Sequence, residues 1–312
     1  MSRLRIGLFW AILSVGLEAI QAVFFGGIFQ AHDSFVIGAL VFGTTSAATL
    51  AWTQLRTPDQ LNIAWSKQRS FLGLSLSMTI VWIAYFFALQ IIEPAVIFMV
   101  FSGLIPLSIL AVSRLGVPEA TTPHNGIEKI GLAVIGLGVI YLWAITILSH
   151  SGFVRGGLPT AIIGLFLSAT AAISLAVMMI YVHRLDRLGI APIAQYGLRF
   201  PLYIIFSLCA IGLGIDAKGA VDTQNLAVVV LVGLVVIAFP VFAMQKAISM
   251  LATGTLATIT ALGPLAVFVL QFVEGRVGYA TATMKVLAIY ILGALLAAFG
   301  GAQATTRRKV SS

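Results

Sequence analysis

Three polar side chains lie close together in the first long apolar stretch of the sequence. Ser14, Glu18 and Gln21 occur within SVGLEAIQAVFF (residues 14–25), spaced i, i+4 and i+7. This spacing places them on one face of an α-helix. A buried carboxyl group can load and release a proton or pair with an amine, because burial and nearby charge shift its proton affinity. Glu18 and Gln21 are therefore predicted to bind substrate or couple protons. The alternative is a protonated Glu18 hydrogen-bonded between helices.

One arginine and several aromatic residues are further candidates. Arg199 follows the start of an apolar stretch at residue 191, so it lies roughly 12 Å into a helix that rises about 1.5 Å per residue. It either contacts substrate or caps helix carbonyls and fixes a helix contact. Trp82 and Tyr85 are three residues apart and share a helix face. With Phe239 from a later stretch, they are predicted to line a cavity, although such aromatic residues also serve in packing.

Two hydroxyl side chains complete the set of candidate binding residues. Ser102 and Thr258 lie near proline-containing helices and can donate hydrogen bonds to a substrate. Hydroxyl groups in helices more often bond a carbonyl of their own helix, and that alternative stays open for both.

The sequence contains no pattern typical of a soluble enzyme. It lacks the GxxxxGK[ST] loop, which argues against ATP hydrolysis within this chain. Its four histidines are scattered along the sequence, whereas a metal site needs convergent ligands. We expect no metal, no cofactor and no enzymatic activity. A membrane-embedded enzyme or lipid flippase remains the alternative from another functional class.

The elements that must position these side chains are membrane helices. Of 312 residues, 60% are hydrophobic and 9% are charged, against about 25% charged in soluble domains. The net charge of +8 comes from basic residues scattered singly between apolar runs, which favours contact with anionic membrane lipids over nucleic acid. Stretches of about 20 apolar residues can cross a bilayer. Ten such spans are predicted, at 6–29, 34–55, 71–91, 95–115, 127–148, 158–182, 191–214, 226–247, 255–273 and 283–303.

The distribution of lysine and arginine predicts the orientation of these spans. With the N-terminus inside, thirteen basic residues fall in cytoplasmic segments: Arg3, Arg5, Arg56, Lys67, Arg69, Arg114, Lys129, Arg184, Arg187, Lys246, Arg307, Arg308 and Lys309. Four fall outside: Arg155, Lys218, Arg276 and Lys285. Cytoplasmic loops are enriched in basic residues, so both termini are predicted to be cytoplasmic.

The ten spans divide into two similar halves, residues 1–150 and 151–312. GLFWAILSVGLEA (7–19) aligns with GLFLSATAAISLA (164–176), and LIPL (104–107) aligns with LGPL (262–265) at nearly the same shift. Five spans are an odd number, so the second half must be inverted relative to the first. Inverted repeats are typical of alternating-access transporters, which hold substrate near the midplane between the halves.

Two segments carry a resemblance to a known family. ALQIIEPAVIFMVFSGLIPLSILAV (88–112) and AMQKAISMLATGTLATITALGPLAVFVLQFVEGRVG (243–278) each place Ala-(Leu/Met)-Gln before a helix containing Pro-Leu, and RFPLYIIF (199–206) adds an arginine early in a span. Together they resemble the EamA-type transporters of the drug/metabolite transporter superfamily over essentially the whole chain. In the first half, Phe42 stands where the second has Arg199.

The resemblance implies the function of the protein. It implies export of amino acids or other small organic metabolites across a bacterial inner membrane without ATP, and proton coupling is the separate expectation that Glu18 carries. A drug or a nucleotide-sugar type of substrate is the alternative within transport. Glycines in the fifth and tenth spans, such as Gly131 and Gly293, favour close helix contacts. These contacts either join the two halves of a monomer or form a homodimer.

Overall fold

The computed structural model describes residues 3–120, 122–123, 125–219, 223–248, 250–251 and 259–311, and in these ranges the chain is helical without a named strand. The α-helices are α1 (Arg3–Ile20), α2 (Gly26–Ala31), α3 (Ser34–Arg56), α4 (Pro58–Ser66), α5 (Gln68–Ile91), α6 (Pro94–Arg114), α7 (Gly126–Ile147), α8 (Leu158–Arg187), α9 (Pro192–Leu198), α10 (Pro201–Gly212), α11 (Thr223–Gly233), α12 (Phe239–Ile248), α13 (Gly263–Glu274) and α14 (Thr281–Ser311). Two π-helical turns, Gln21–Phe25 and Leu234–Ala238, connect α1 to α2 and α11 to α12.

Nine helical segments in the described residues have the length and apolar composition to cross a membrane. They are Leu4–Ala31, Ser34–Arg56, Gln68–Ile91, Pro94–Arg114, Gly126–Ile147, Leu158–Arg187, Pro192–Gly212, Gln224–Ala247 and Thr281–Gly301. Each corresponds to a span predicted from the sequence. The remaining predicted span, 255–273, lies partly outside the described residues, and its described part is the short apolar helix α13. The chain therefore has the architecture of a polytopic membrane protein.

Proline explains where two of the long segments depart from regular α-helix. Pro201 disfavours helical geometry at the residue before it, and the chain breaks between α9 and α10 at Arg199 and Phe200. Pro240 lacks the N–H that would complete the preceding helical turn, and the second π-helical turn ends shortly before it, at Ala238. Pro264 lies in the first turn of α13 rather than in a helix interior.

Glycine brings α7 and α14 into backbone contact. A Cβ atom at Gly131 would lie 2.3 Å from the backbone nitrogen of Ala297, and one at Gly293 would lie 2.9 Å from that of Ile135. No side chain fits at either position without moving the neighbouring helix. The predicted close approach of the fifth and tenth spans is therefore confirmed, and it joins two helices of one chain.

A buried carboxylate connects four segments at one end of the bundle. Glu93, in the turn between α5 and α6, accepts hydrogen bonds from Gln271 Nε2 (2.7 Å), the Gly152 backbone N–H (2.7 Å) and Thr283 Oγ1 (3.1 Å). We call this the Glu93 end. Burial raises the pKa of the Glu93 carboxyl group, and the three donors oppose that shift by favouring the ionised form.

Polar contacts also close the Glu93 end on the side of α3 and α10. Lys218 Nζ lies 2.6 Å from Asp216 Oδ1 and donates a 2.7 Å hydrogen bond to Gln90 Oε1. Asp216 Oδ2 accepts from the Ser34 hydroxyl at 2.7 Å. At the opposite end, Glu119 accepts hydrogen bonds from Arg184 near the end of α8. The interior between these two ends holds the candidate site.

Candidate functional site

Glu18 lies on α1, which packs mainly against α12 and α13. Its Oε1 atom is 3.3 Å from the Ser14 hydroxyl, and that hydroxyl donates a 2.9 Å hydrogen bond to the Pro240 carbonyl oxygen. The glutamate is surrounded by protein, yet it retains some accessible surface. Glu18 is therefore enclosed by neighbouring helices rather than facing lipid, which agrees with the cost of a charge in lipid.

Gln21 begins the π-helical turn after α1. Its side chain is buried, and its Nε2 atom has no hydrogen-bond partner among the described residues. π-Helical turns are rare and occur frequently at functional sites. A buried amide donor without an acceptor is costly, so this position is suited to a ligand or water that supplies an oxygen atom.

Trp82 and Tyr85 stand opposite this stripe, on α5. Tyr85 lies near enough to Glu18 for the carboxylate charge to act on its hydroxyl group, and its ring lies edge-on to Trp82 with centroids 6.0 Å apart. Both residues belong to the buried core, and the indole Nε1 of Trp82 lacks a hydrogen-bond partner there. The structure thus places two of the predicted aromatic residues beside the predicted carboxylate.

The aromatic contacts continue from Trp82 to the break in the seventh span. The ring of Phe42 on α3 lies 4.8 Å from Trp82 and stacks nearly parallel on Phe200 at 4.4 Å. Phe42 and Phe200 were not among the predicted site residues. The alignment of the two halves contained a signal for Phe42, because it places Phe42 opposite Arg199, the residue before Phe200.

Arg199 lies at the break itself, between α9 and α10. The residue is only 3% exposed, and its Nε atom is buried without a hydrogen-bond partner in the described part of the chain. Its guanidinium group lies over the ring of Tyr196, 5.3 Å from the centroid. The Tyr196 hydroxyl donates to the Ala238 carbonyl oxygen in the second π-helical turn. Tyr196 therefore connects the break in the seventh span to the second π-helical turn, and Arg199 lies against its ring.

Side chains from neighbouring helices satisfy the backbone at this break. Ser46 on α3 donates a 2.8 Å hydrogen bond to the Gly197 carbonyl oxygen, and Ser75 on α5 accepts a 3.0 Å bond from the Leu202 N–H. Both serines are fully enclosed. Ser46 and Ser75 thus bond backbone groups at this break, and no carbonyl bonded to Arg199 is found among the described residues.

The remaining predicted residues lie elsewhere or are not described. Ser102 on α6 lies near Tyr290 on α14. Phe239 packs with Trp10 and Phe242, with centroids 6.0 and 6.3 Å away, in a separate group between α1 and α12. Thr258 lies outside the described residues.

The candidate site residues are therefore Glu18 and three side chains that each have a buried nitrogen, namely Gln21, Trp82 and Arg199. Each of the three donor side chains has a nitrogen without a partner among the described residues. In the same ranges, no three His, Cys, Asp or Glu side chains are grouped as metal ligands would be. Such a set can bind a small polar molecule by hydrogen bonds and ion pairs, with aromatic rings covering its apolar part.

Comparisons with known proteins extend only to the fold. No family model matches the sequence, and no curated protein matches it significantly. One solved crystal structure, whose description names no function, is similar over 100% of this chain and 99% of its own, at 22% identity and a TM-score of 0.59. At this identity the likeness concerns the helical arrangement alone.

Proposed function

We propose that this chain is a secondary transporter of small organic metabolites, with amino acids as the favoured substrate class. One observation carries the proposal: buried polar groups that have no hydrogen-bond partner among the described residues lie inside the bundle, beside interrupted membrane helices. Transporters commonly bind their substrates near the midplane at such helix breaks. The resemblance to EamA-type members of the drug/metabolite transporter superfamily is the basis for the substrate class and for export across a bacterial inner membrane.

The helix pairings support an inverted repeat of five spans each. Under such a repeat, the first span corresponds to the sixth and the third to the eighth. The third span, α5, pairs with the sixth, α8, and the corresponding eighth and first spans pair through α12 and α1. The fourth span, α6, also pairs with α8, and the corresponding ninth and first spans pair through α13 and α1. The pairing of α7 with α14 is its own counterpart. All of these contacts are present.

The positions of the chain ends support an even number of spans. Gly7, near the start of α1, packs against Leu251, and Gly300, late in α14, packs against Asn125 and Glu128. These contacts lie at the end of the bundle opposite Glu93. With the excess of basic residues on that side, the proposal places both termini in the cytoplasm.

The arrangement of Ser14 supports proton coupling at Glu18. A hydroxyl group carries one hydrogen, and the shorter of the two Ser14 contacts is to the Pro240 carbonyl oxygen, at 2.9 Å. A protonated Glu18 can donate to Ser14 Oγ, whereas an ionised Glu18 must compete with Pro240 for the same hydrogen. Protonation and the packing of α1 against α12 are thereby connected.

A reconstituted flux measurement tests the proposal. Purified protein in liposomes should exchange at least one radiolabelled amino acid faster than protein-free liposomes do. Leu137→Ala serves as a matched control, because Leu137 is an exposed apolar residue on α7 and its truncation should leave flux unchanged. Product formation without flux, or lipid movement between leaflets without flux of any soluble metabolite, would instead indicate an enzyme or a flippase.

A further inference from the structure

Arg199 is a buried cation without an acidic partner among the described residues. A guanidinium group has five N–H donors and a permanent charge, and burying such a group without partners is strongly unfavourable. Arg199 is nearly inaccessible, yet no carboxylate among the described residues lies within ion-pair distance of it, and its Nε has no acceptor. Glu18, the carboxylate of the candidate site, pairs with Ser14 instead.

The surroundings of Arg199 leave its donors available. The contact with Tyr196 involves the face of the tyrosine ring, and a cation–π contact of this kind does not satisfy N–H donors. Tyr196 is itself held in place by its hydroxyl bond to the Ala238 carbonyl. The N–H of Leu202 at the start of α10 is already bonded to Ser75. The guanidinium, rather than the helix terminus, is therefore the free anion-binding group.

We infer that Arg199 binds the anionic group of the transported molecule, a carboxylate or a phosphate. This inference rests on the proposed transport function. The planar fork of arginine matches the two oxygens of either group and binds them with paired hydrogen bonds. A ligand oxygen at this position would pair the buried charge and satisfy the orphaned Nε.

The neighbouring rings define the remainder of this ligand. Phe200 follows Arg199 directly and stacks on Phe42, and the same Phe42 ring contacts Trp82. Trp82 adds a further unpartnered N–H donor. The site therefore fits a small molecule with one anionic group and a flat or apolar body.

Three ring compounds that differ in one substituent test the inference by thermal shift on the purified protein. Benzoate carries a carboxylate, benzamide replaces it by a neutral amide, and phenyl phosphate carries a phosphate. Benzoate, phenyl phosphate or both should raise the melting temperature, because a ligand that binds the folded state stabilises it. Benzamide should not. The anion that produces the larger shift identifies the chemistry of the site, with ionic strength held constant by sodium chloride.

Variants assign the effect to the residue. Arg199→Gln should weaken apparent anion affinity at least tenfold, and Arg199→Lys, which keeps the charge without the fork, should weaken it less. Arg155→Gln is the matched control, because Arg155 is exposed in the loop before α8. This variant should bind the anion as the unaltered protein does. If Arg199→Gln does not fold, the lysine variant and the three-compound comparison on the unaltered protein still decide the question.

Two results of the binding measurements would overturn the inference, and neither of them depends on transport. They are equal stabilisation of Arg199→Gln and the unaltered protein by an anion, or no stabilisation of the unaltered protein by either anion. Anion binding that requires Arg199 without any metabolite flux would contradict the transport proposal and leave the site intact. Metabolite flux that is unchanged in Arg199→Gln would contradict the assignment of Arg199 and leave the transport proposal intact.

Discussion

The side-chain amide of Gln271 donates a 2.7 Å hydrogen bond to the carboxylate of Glu93, which joins α13 to the turn before α6. The other oxygen of Glu93 accepts from Gly152 and Thr283, and Gln271 Oε1 accepts from the Ala95 N–H. The fourth, ninth and tenth spans therefore meet at a fully enclosed polar cluster. A cluster of this kind fixes the relative positions of helices that apolar packing alone would leave able to slide.

Removing Glu93 should destabilise the protein. Glu93→Ala leaves donors of Gln271, Gly152 and Thr283 without an acceptor, and each buried unsatisfied group costs about 1–3 kcal/mol. We expect the melting temperature in detergent to fall by several degrees. Glu93→Gln keeps one acceptor oxygen, so its melting temperature should fall less. If the alanine variant has the same melting temperature as the unaltered protein, water replaces the carboxylate as the acceptor.

Glu18→Gln should preserve the fold and impair transport. Glutamine has nearly the same shape and can keep the contact with Ser14, whose distance to Glu18 is 3.3 Å. It cannot ionise, so flux or its dependence on pH should be lost in proteoliposomes. Chromatography in detergent checks folding. Unchanged flux with an unchanged pH response would leave Glu18 as a packing residue.

Trp82→Phe should lower substrate affinity without loss of folded protein. The substitution keeps a ring against Phe42 and removes an indole N–H that has no partner in the described structure. Trp82→Ala is less informative, because truncating a packed aromatic residue costs about 3–5 kcal/mol of stability. Trp143→Phe is the control, since Trp143 Nε1 is also buried without a partner but lies on α7. Substrate-induced thermal shift measures the affinity, and equal shifts in both variants would contradict a role for the Trp82 N–H.

The Tyr85 hydroxyl should contribute to binding through Glu18. Tyr85→Phe removes a hydroxyl group that lies near Glu18 and leaves the ring in contact with Trp82. We expect the pH response of flux to shift while the protein elutes normally from a sizing column. A pH response identical to that of the unaltered protein would separate Tyr85 from any coupling at Glu18.

Acid should weaken the contact of Glu119 with Arg184. Hydrogen bonds from Arg184 hold the pKa of the Glu119 carboxyl below its ordinary value of 4.5. A depressed pKa contributes stability above 4.5 that is lost as pH falls through the folded-state value. The melting temperatures of the unaltered protein and Glu119→Gln should therefore differ at neutral pH and converge as the pH falls through the folded-state pKa of Glu119, which lies below 4.5. A difference that persists in acid would contradict this account.

Labelling should find opposite ends of the bundle on opposite sides of the membrane. On a Cys209→Ala background, Asp59→Cys in α4 should react only after cell disruption, and His150→Cys should react in intact cells. Both positions are exposed, and the bond between the Arg155 N–H and the Ile91 carbonyl places the 150–155 loop at the Glu93 end. Labelling of position 59 from outside would invert the proposed orientation.

The sequence alone determined the class of structure and the approximate limits of the nine long apolar helical segments found among the described residues. Long apolar stretches must bond their backbone internally in lipid, so composition and length suffice to predict helices. The Ser14–Glu18–Gln21 stripe and the Trp82–Tyr85 face were also predictable, because helical spacing fixes which residues share a side. Gly131 and Gly293 predicted a close contact for the same local reason.

The tertiary structure alone decided which residues meet. Glu93 was predictable only as a helix break, since its partners come from segments far away in sequence. Phe239 and Ser102 had suitable residue types, yet their helices turn them toward Trp10 and Tyr290. The lack of an acidic partner for Arg199 among the described residues is likewise invisible in the sequence, which contains ten acidic residues. Pairing depends on how helices pack in three dimensions, and apolar sequences of similar composition leave that packing undetermined.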